Sequence, residues 1–283
     1  MIQLLAASVL WAFSFGLIKG YLVGLDPVLV AAGRLVLAAA VFTPFLDRAR
    51  VRGRNVPLVL GLGGLQFGVM YVLYIMSYRW LPAWLVALLT IFTPLYVVIL
   101  ADFRARSFIP RHLLAAVLAV AGAAVVLMRD GVLAEGDWRG VLLLQGANLC
   151  FAVGQVYYPD LKRRVGAGDS GMMTWMYQGA VLVTLAAALA VRPGFGGWTP
   201  GAVGVLLYLG LVPTAVGFYL WNKGTVTVGH GSLAVANNLK IPLAVLVSWL
   251  VFGETAPYGR ALAGMALLAA GLWVSGYGRR RSR

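Results

Sequence analysis

LTIFTPLYVVIL at residues 89–100 and NNLKIPLAVLVS at residues 237–248 decide how this chain folds. Each is an apolar run with a proline set inside it, Pro94 in the first and Pro242 in the second. Each is followed by a second apolar run rich in small residues, AVLAVAGAAVVL at 116–127 and GMALLAAGLWVS at 264–275. A stretch of this kind, about 20 residues long and nearly free of charge, matches a hydrocarbon core about 30 Å thick. The same material extends outward in both directions. Of the 283 residues 61% are hydrophobic and only 11% charged, with a mean hydropathy of +0.87, far above what a water-soluble domain needs.

Charge and Gly/Pro punctuation divide the chain into apolar spans near 2–22, 27–46, 56–78, 81–101, 111–128, 138–158, 170–191, 201–221, 231–252 and 257–277. In lipid only a helix or a closed barrel satisfies the backbone, and the ten-residue alternation of a barrel is missing. The reading is therefore an all-α membrane protein of ten transmembrane helices. The opening MIQLLAASVLWAF lacks a basic flank and a cleavage site, so it reads as the first span.

Lys and Arg set the orientation. One set of loops carries Arg48, Arg50, Arg52, Arg54, Arg104, Arg106, Arg111, Lys162, Arg163, Arg164, Lys223, Arg279, Arg280, Arg281 and Arg283. The other has Arg79, Arg129, Arg139, Arg192 and Arg260 alone. This bias places both termini on the cytoplasmic side of an inner membrane. The net charge of +14 is thus topogenic rather than a nucleic-acid footprint, because the basic residues sit in gaps between apolar spans. The single Cys150 lies inside a span and implies neither disulfide nor metal site.

Five spans precede the stretch 129–137 and five follow it, giving halves at 1–130 and 136–283. An odd number of spans per half inverts the second copy in the membrane. Inverted repeats with proline-interrupted helices at corresponding places point to a transporter whose site lies at the midplane between the halves.

Lys240 falls about ten residues into the ninth span, near the bilayer centre, where a charge is expensive and usually functional. Asn237 and Asn238 stand within a turn of it, and Pro242 frees a backbone carbonyl nearby. Arg34, about two turns into the second span, reads as a structural residue that snorkels or meets free carbonyls, and Lys19 as an anchor at the outer end of the first span. All nine acidic residues lie in or beside loops. Without a carboxylate at mid-depth, Lys240 favours a substrate that brings a carboxylate or phosphate of its own.

Gln145, Asn148 and Gln155 share one face of the sixth span, and Ser8, Trp11 and Ser14 stand in the first. Asn148, near mid-depth, is the candidate for substrate contact, as is Trp11. Tyr71 and Tyr74 lie deeper than an interfacial belt and carry hydroxyls that need partners. The substrate-binding candidates are therefore Lys240, Asn237, Asn238, Asn148, Trp11, Tyr71 and Tyr74. Enzyme signatures are absent. His112 and His230 are loop residues, no HExxH or GxSxG occurs, and Gly61, Gly63 and Gly64 start a span rather than link a strand to a helix. No catalytic residue, cofactor or metal is expected, and a monomer meets every requirement above.

LLAASVLWAFSF at 4–15, Arg34, FYLWNKG at 218–224, NNLKIPLAVLVSWLVFGE at 237–254 and the Gly-rich last span together resemble the EamA-type branch of the drug/metabolite transporter superfamily. The resemblance runs over nearly the whole chain as two copies, with one departure: Arg106 stands where the repeat would place a counterpart of Glu254. It implies ten helices, a cavity lined mainly by spans one, three, four, six, eight and nine, and export of amino acids or related metabolites. The expectation is an alternating-access carrier of small carboxylate-bearing metabolites. The rivals are multidrug efflux of organic cations and a lipid-handling protein with no soluble substrate.

Overall fold

The computed structural model describes residues 1–22, 24–81, 83–127, 137–243 and 258–275. Among them the chain is helix and the turns between helices, without a strand. In order these are α1 Ile2–Ala12, α2 Ser14–Tyr21, α3 Pro27–Phe42, α4 Asn55–Gly63, α5 Met70–Ser77, α6 Ala83–Leu89 and α7 Thr93–Ala105. Then come α8 Pro110–Leu127, α9 Trp138–Val165, α10 Asp169–Val191, α11 Pro200–Leu209, α12 Gly217–Thr225, α13 His230–Asn238 and α14 Tyr258–Val274. The stretches Pro27–Phe45, Asn55–Ser77, Trp138–Val165, Asp169–Val191 and Pro200–Thr225 are each long and apolar enough to cross a membrane.

Local chemistry explains where helices start. Asp26 accepts a hydrogen bond from the Val28 amide ahead of Pro27, Asp137 from Arg139, and Thr199 from Ala202 ahead of Pro200, so each start has a side-chain cap. Three expected spans are interrupted rather than continuous. The first breaks at Phe13, and the fourth passes through a 3₁₀ turn, Thr90–Phe92, before Thr93–Pro94 opens α7. Pro94 has no N–H to give the preceding turn, which is why the helix re-forms there. The ninth breaks likewise at Leu239, just before Lys240 and Pro242. Its remainder, with Arg129, Asp130, Glu135, Glu254 and the arginines from 279 onward, lies outside the described residues.

Two rods bend through π-helical segments at corresponding places, Gly64–Val69 between α4 and α5 and Gly210–Val216 between α11 and α12. The helices pack in antiparallel pairs with clear registers. Against α9, Gln66 meets Gly154, Leu73 meets Gly146 and Leu81 meets Gly140. Against α12, Leu4 meets Gly224 and Trp11 meets Gly217. A Cβ on Gly154 would lie 2.1 Å from the Gln66 side chain, so only glycine permits that approach. Further contacts join α3 to α10, α7 to α13 and α8 to α14.

Candidate substrate chamber

The buried core at the centre is aromatic and surrounds a hollow. Trp11 packs on Phe218 and Trp221, with ring centroids 5.1 and 4.9 Å away, and edge-on to Phe151 at 5.9 Å. Its indole Nε1 donates to the Pro213 carbonyl at 2.9 Å. That carbonyl belongs to the π-helical segment Gly210–Val216, which departs from the regular backbone ladder. The same segment offers the Thr214 and Ala215 carbonyls to the Tyr177 hydroxyl.

Beside this core lies a chamber of about 100 Å³. Trp11, Ile18, Met70, Ala147, Phe151 and Phe218 give it apolar walls, and Ser14, Tyr71, Tyr74, Thr90, Thr93 and Asn148 supply polar atoms. Two cations complete the lining, Arg34 and Lys240. No Asp or Glu stands among these residues.

Arg34 is the residue whose place the sequence did not reveal. It is 3% exposed, deep in the protein rather than reaching for headgroups. Its Nε donates to Thr214 Oγ1 at 3.1 Å and its Nη2 to the Tyr71 hydroxyl at 2.7 Å. Thr214 gives its own proton to the Leu209 carbonyl at 2.7 Å, so Tyr71 must be the donor across the 3.2 Å contact between the two hydroxyls. The guanidinium also lies over the Tyr71 ring, 4.5 Å from its centroid. Two of its three nitrogens are thereby fixed, while Nη1 is buried with no hydrogen-bond partner among the described residues. The sequence signal was an arginine inside a span with no acid to pair it. What it lacked was the π-helical turn that brings Thr214 across.

The other candidates divide. Asn148, Trp11, Tyr71, Tyr74 and Lys240 all line the chamber. Lys240 makes no ion pair with a described residue. The Asn148 amide nitrogen donates to the Leu89 carbonyl at 2.9 Å and to Gln145 at 3.1 Å. The Tyr74 hydroxyl meets that of Tyr78 at 2.9 Å. Asn237 and Asn238 lie elsewhere. Asn237 forms a two-way amide pair with Gln155 at 2.9 and 3.2 Å, and Asn238 donates to the Ile91 and Ala119 carbonyls. Gln66 and Asn222 form a second buried amide pair, at 2.9 Å.

A family model described as the EamA-like transporter family matches residues 1–128 and 138–277. The chain belongs to the EamA-like transporter family. It is thus a member of the drug/metabolite transporter superfamily and a multi-pass membrane protein, whose relatives are named as transporters and not as enzymes. This EamA-like chain is 39% identical over 292 residues to a probable biotin transporter of Pseudomonas aeruginosa, covering 100% of both. It is 33% identical over 282 residues to the biotin transporter of Escherichia coli, covering 97% of this chain and 92% of that one. A probable terminal-alkyne amino-acid exporter of Streptantibioticus cattleyicolor is 29% identical over 292 residues, covering 98% and 94%. One crystal structure shares the fold with a TM-score of 0.78 at 19% identity, covering 99% of this chain and 98% of that one.

Proposed function

We propose that this protein is a secondary transporter of the cytoplasmic membrane that carries biotin or a similar small carboxylate by alternating access between two inverted five-helix halves. The observation that carries the proposal is the presence of both Arg34 and Lys240 in the lining of one largely apolar chamber that has no acid among its described residues. A substrate carboxylate there receives the unpartnered Arg34 Nη1 and the Lys240 ammonium in a low-dielectric setting, where each contact is strong. Trp11, Phe151 and Phe218 offer faces to the apolar body of the substrate. The Asn148 carbonyl oxygen, bonded to no described residue, is available to an N–H such as that of a ureido ring.

Size narrows the class. At about 10–15 Å³ per water, a chamber of about 100 Å³ holds roughly eight waters, the bulk of a small acid rather than of a polycyclic dye. Charge narrows it further. An amino acid would set its ammonium against Arg34 and Lys240 with no carboxylate among the described lining residues to receive it, and an organic cation would be repelled outright. The amino-acid substrate expected from the sequence therefore fits less well than a carboxylate without an ammonium. The names of the two biotin-transporting relatives agree with that reading.

The two-half architecture with ten spans draws support from the packing. Exchanging the first rod, α1–α2, with α9, and the α4–α5 rod with the α11–α12 rod, turns the α4–α5/α9 contact into the α1/α12 contact. The contacts of α3 with α10, α7 with α13 and α8 with α14 map onto themselves under that exchange. The basic loops would then face the cytoplasm.

Counterflow of radiolabelled biotin in liposomes holding the purified protein tests the proposal. Exchange by the wild type, lost in Lys240→Gln and in Arg34→Gln, is the expected result. No exchange of biotin or of any carboxylate in a panel, or full exchange by Lys240→Gln, would overturn it. Export of a cationic dye that persists in Lys240→Gln would instead favour multidrug efflux.

A further inference from the structure

A second hollow opens on the face away from the basic segments 48–54 and 104–111, where the end of α2, the start of α3 and the end of α5 converge. It adjoins the chamber. Ile18 lines both spaces, and Tyr78 in the hollow is hydrogen-bonded to Tyr74 in the chamber, hydroxyl to hydroxyl at 2.9 Å with rings edge to face. Ile18 and the tyrosine pair thus form a partition common to the two.

The charged residues on the wall of this hollow are Asp26 and Arg79. Asp26 is held by its own helix, because its Oδ1 accepts from the Val28 amide at 2.8 Å. Its Oδ2 is 3.5 Å from Arg79 Nη2, the long end of hydrogen-bond range. Arg79 is 48% exposed while Asp26 is 13% exposed, so the guanidinium keeps most of its N–H groups for something else. A carboxylate entering the hollow can make the two-pronged contact that Asp26, tied to α3, does not. Asp26 stays close enough to offset part of the Arg79 charge, so capture is weak and the anion is free to move on. An entry site has to bind well enough to fill and poorly enough to empty.

We propose that this hollow is an entry subsite, in which Arg79 takes the carboxylate of the incoming substrate before it passes the Tyr74–Tyr78 partition to Arg34 and Lys240. The proposal rests on the carboxylate-transport reading above. Its test is biotin entry into liposomes from the face bearing Arg79, with KM and maximal rate determined for wild type, Arg79→Gln and Arg79→Lys, beside equilibrium binding of biotin to each purified variant. Arg79→Gln is expected to raise KM about three- to tenfold, with an unchanged maximal rate and unchanged equilibrium affinity. The wild-type KM should rise with ionic strength, the Arg79→Gln KM should lose that dependence, and Arg79→Lys should restore both. A wild-type KM in Arg79→Gln would overturn the entry subsite while leaving the chamber assignment intact. A loss of equilibrium affinity in proportion to the rise in KM would also overturn it, by showing that Arg79 acts through the fold. A wild-type protein that binds no carboxylate overturns both proposals.

Discussion

The helix breaks ahead of Pro94 and Pro242 have the same position in their halves and opposite chemical content. At the first, the Leu89 carbonyl accepts from Asn148 at 2.9 Å and Gln145 at 3.3 Å, and the Ile91 carbonyl accepts from Asn238 at 3.1 Å. These three side-chain donors all come from the second half of the chain, so this break is a stitched joint between halves. At the second break, the position matching Phe92 holds Lys240, which lines the chamber without an ion-pair partner among the described residues. Phe92 itself is 36% exposed and lines no part of the chamber. The π-helical segments repeat the lesson. Gly64–Val69 buries Gln66 in an amide pair, whereas Gly210–Val216 turns Thr214 toward Arg34. On the proposed reading, a duplicated backbone supplies one break that binds the molecule together and one that leaves a charge for a ligand.

The largest expected effect breaks the charged side of that comparison. Lys240→Gln and Arg34→Gln should each cut biotin exchange about 100-fold or more, since removing one partner of a buried charge contact costs ~2–5 kcal/mol. Arg34→Lys should recover little, because a lysine cannot serve Thr214 and Tyr71 while keeping a third donor free. Adding Phe92→Lys to Lys240→Gln sharpens the same point. No recovery of exchange is expected, and recovery would mean that the two breaks are interchangeable.

The stitched break should answer in stability. Asn238→Ala leaves the buried Ile91 and Ala119 carbonyls short of a donor and should cost about 1–2 kcal/mol, read as a lower Tm in detergent. Its biotin affinity should change less than twofold. Asn148→Ala removes a donor from the same joint and a chamber wall as well, so it should lower both Tm and affinity. Equal behaviour of the two variants would erase the distinction between joint and site. The smallest effect is expected of Gly217→Ala. A Cβ there would lie 2.8 Å from Trp11 Nε1, which forces the indole off the Pro213 carbonyl and should weaken biotin binding about two- to fivefold.

The fold was legible because a bilayer leaves so few options. Runs of about 20 apolar residues closed by arginines mark out the helical stretches, and Pro94 and Pro242 mark the places where helices break. Lys240 was legible for the same reason, as a charge where charge is costly. Arg34 was not, because depth counted along one helix cannot tell a side chain that snorkels from one that a neighbour receives. Thr214 reaches it from 180 residues away, by a π-helical turn that no short-range pattern announces. Asn237 and Asn238 show the converse limit. Their polarity was plain, but adjacent residues on a helix point in different directions: the Asn237 amide pairs with Gln155, and the Asn238 amide nitrogen donates into the first-half joint.

The most direct measurement compares equilibrium binding of biotin and of biotinamide to the purified protein. The two ligands differ only in the carboxylate that Arg34 and Lys240 are held to recognise. Biotin should bind at least about 30-fold more tightly, the equivalent of ~2 kcal/mol, and Lys240→Gln should shrink that preference to near unity. Equal binding of acid and amide by the wild type would contradict the assignment.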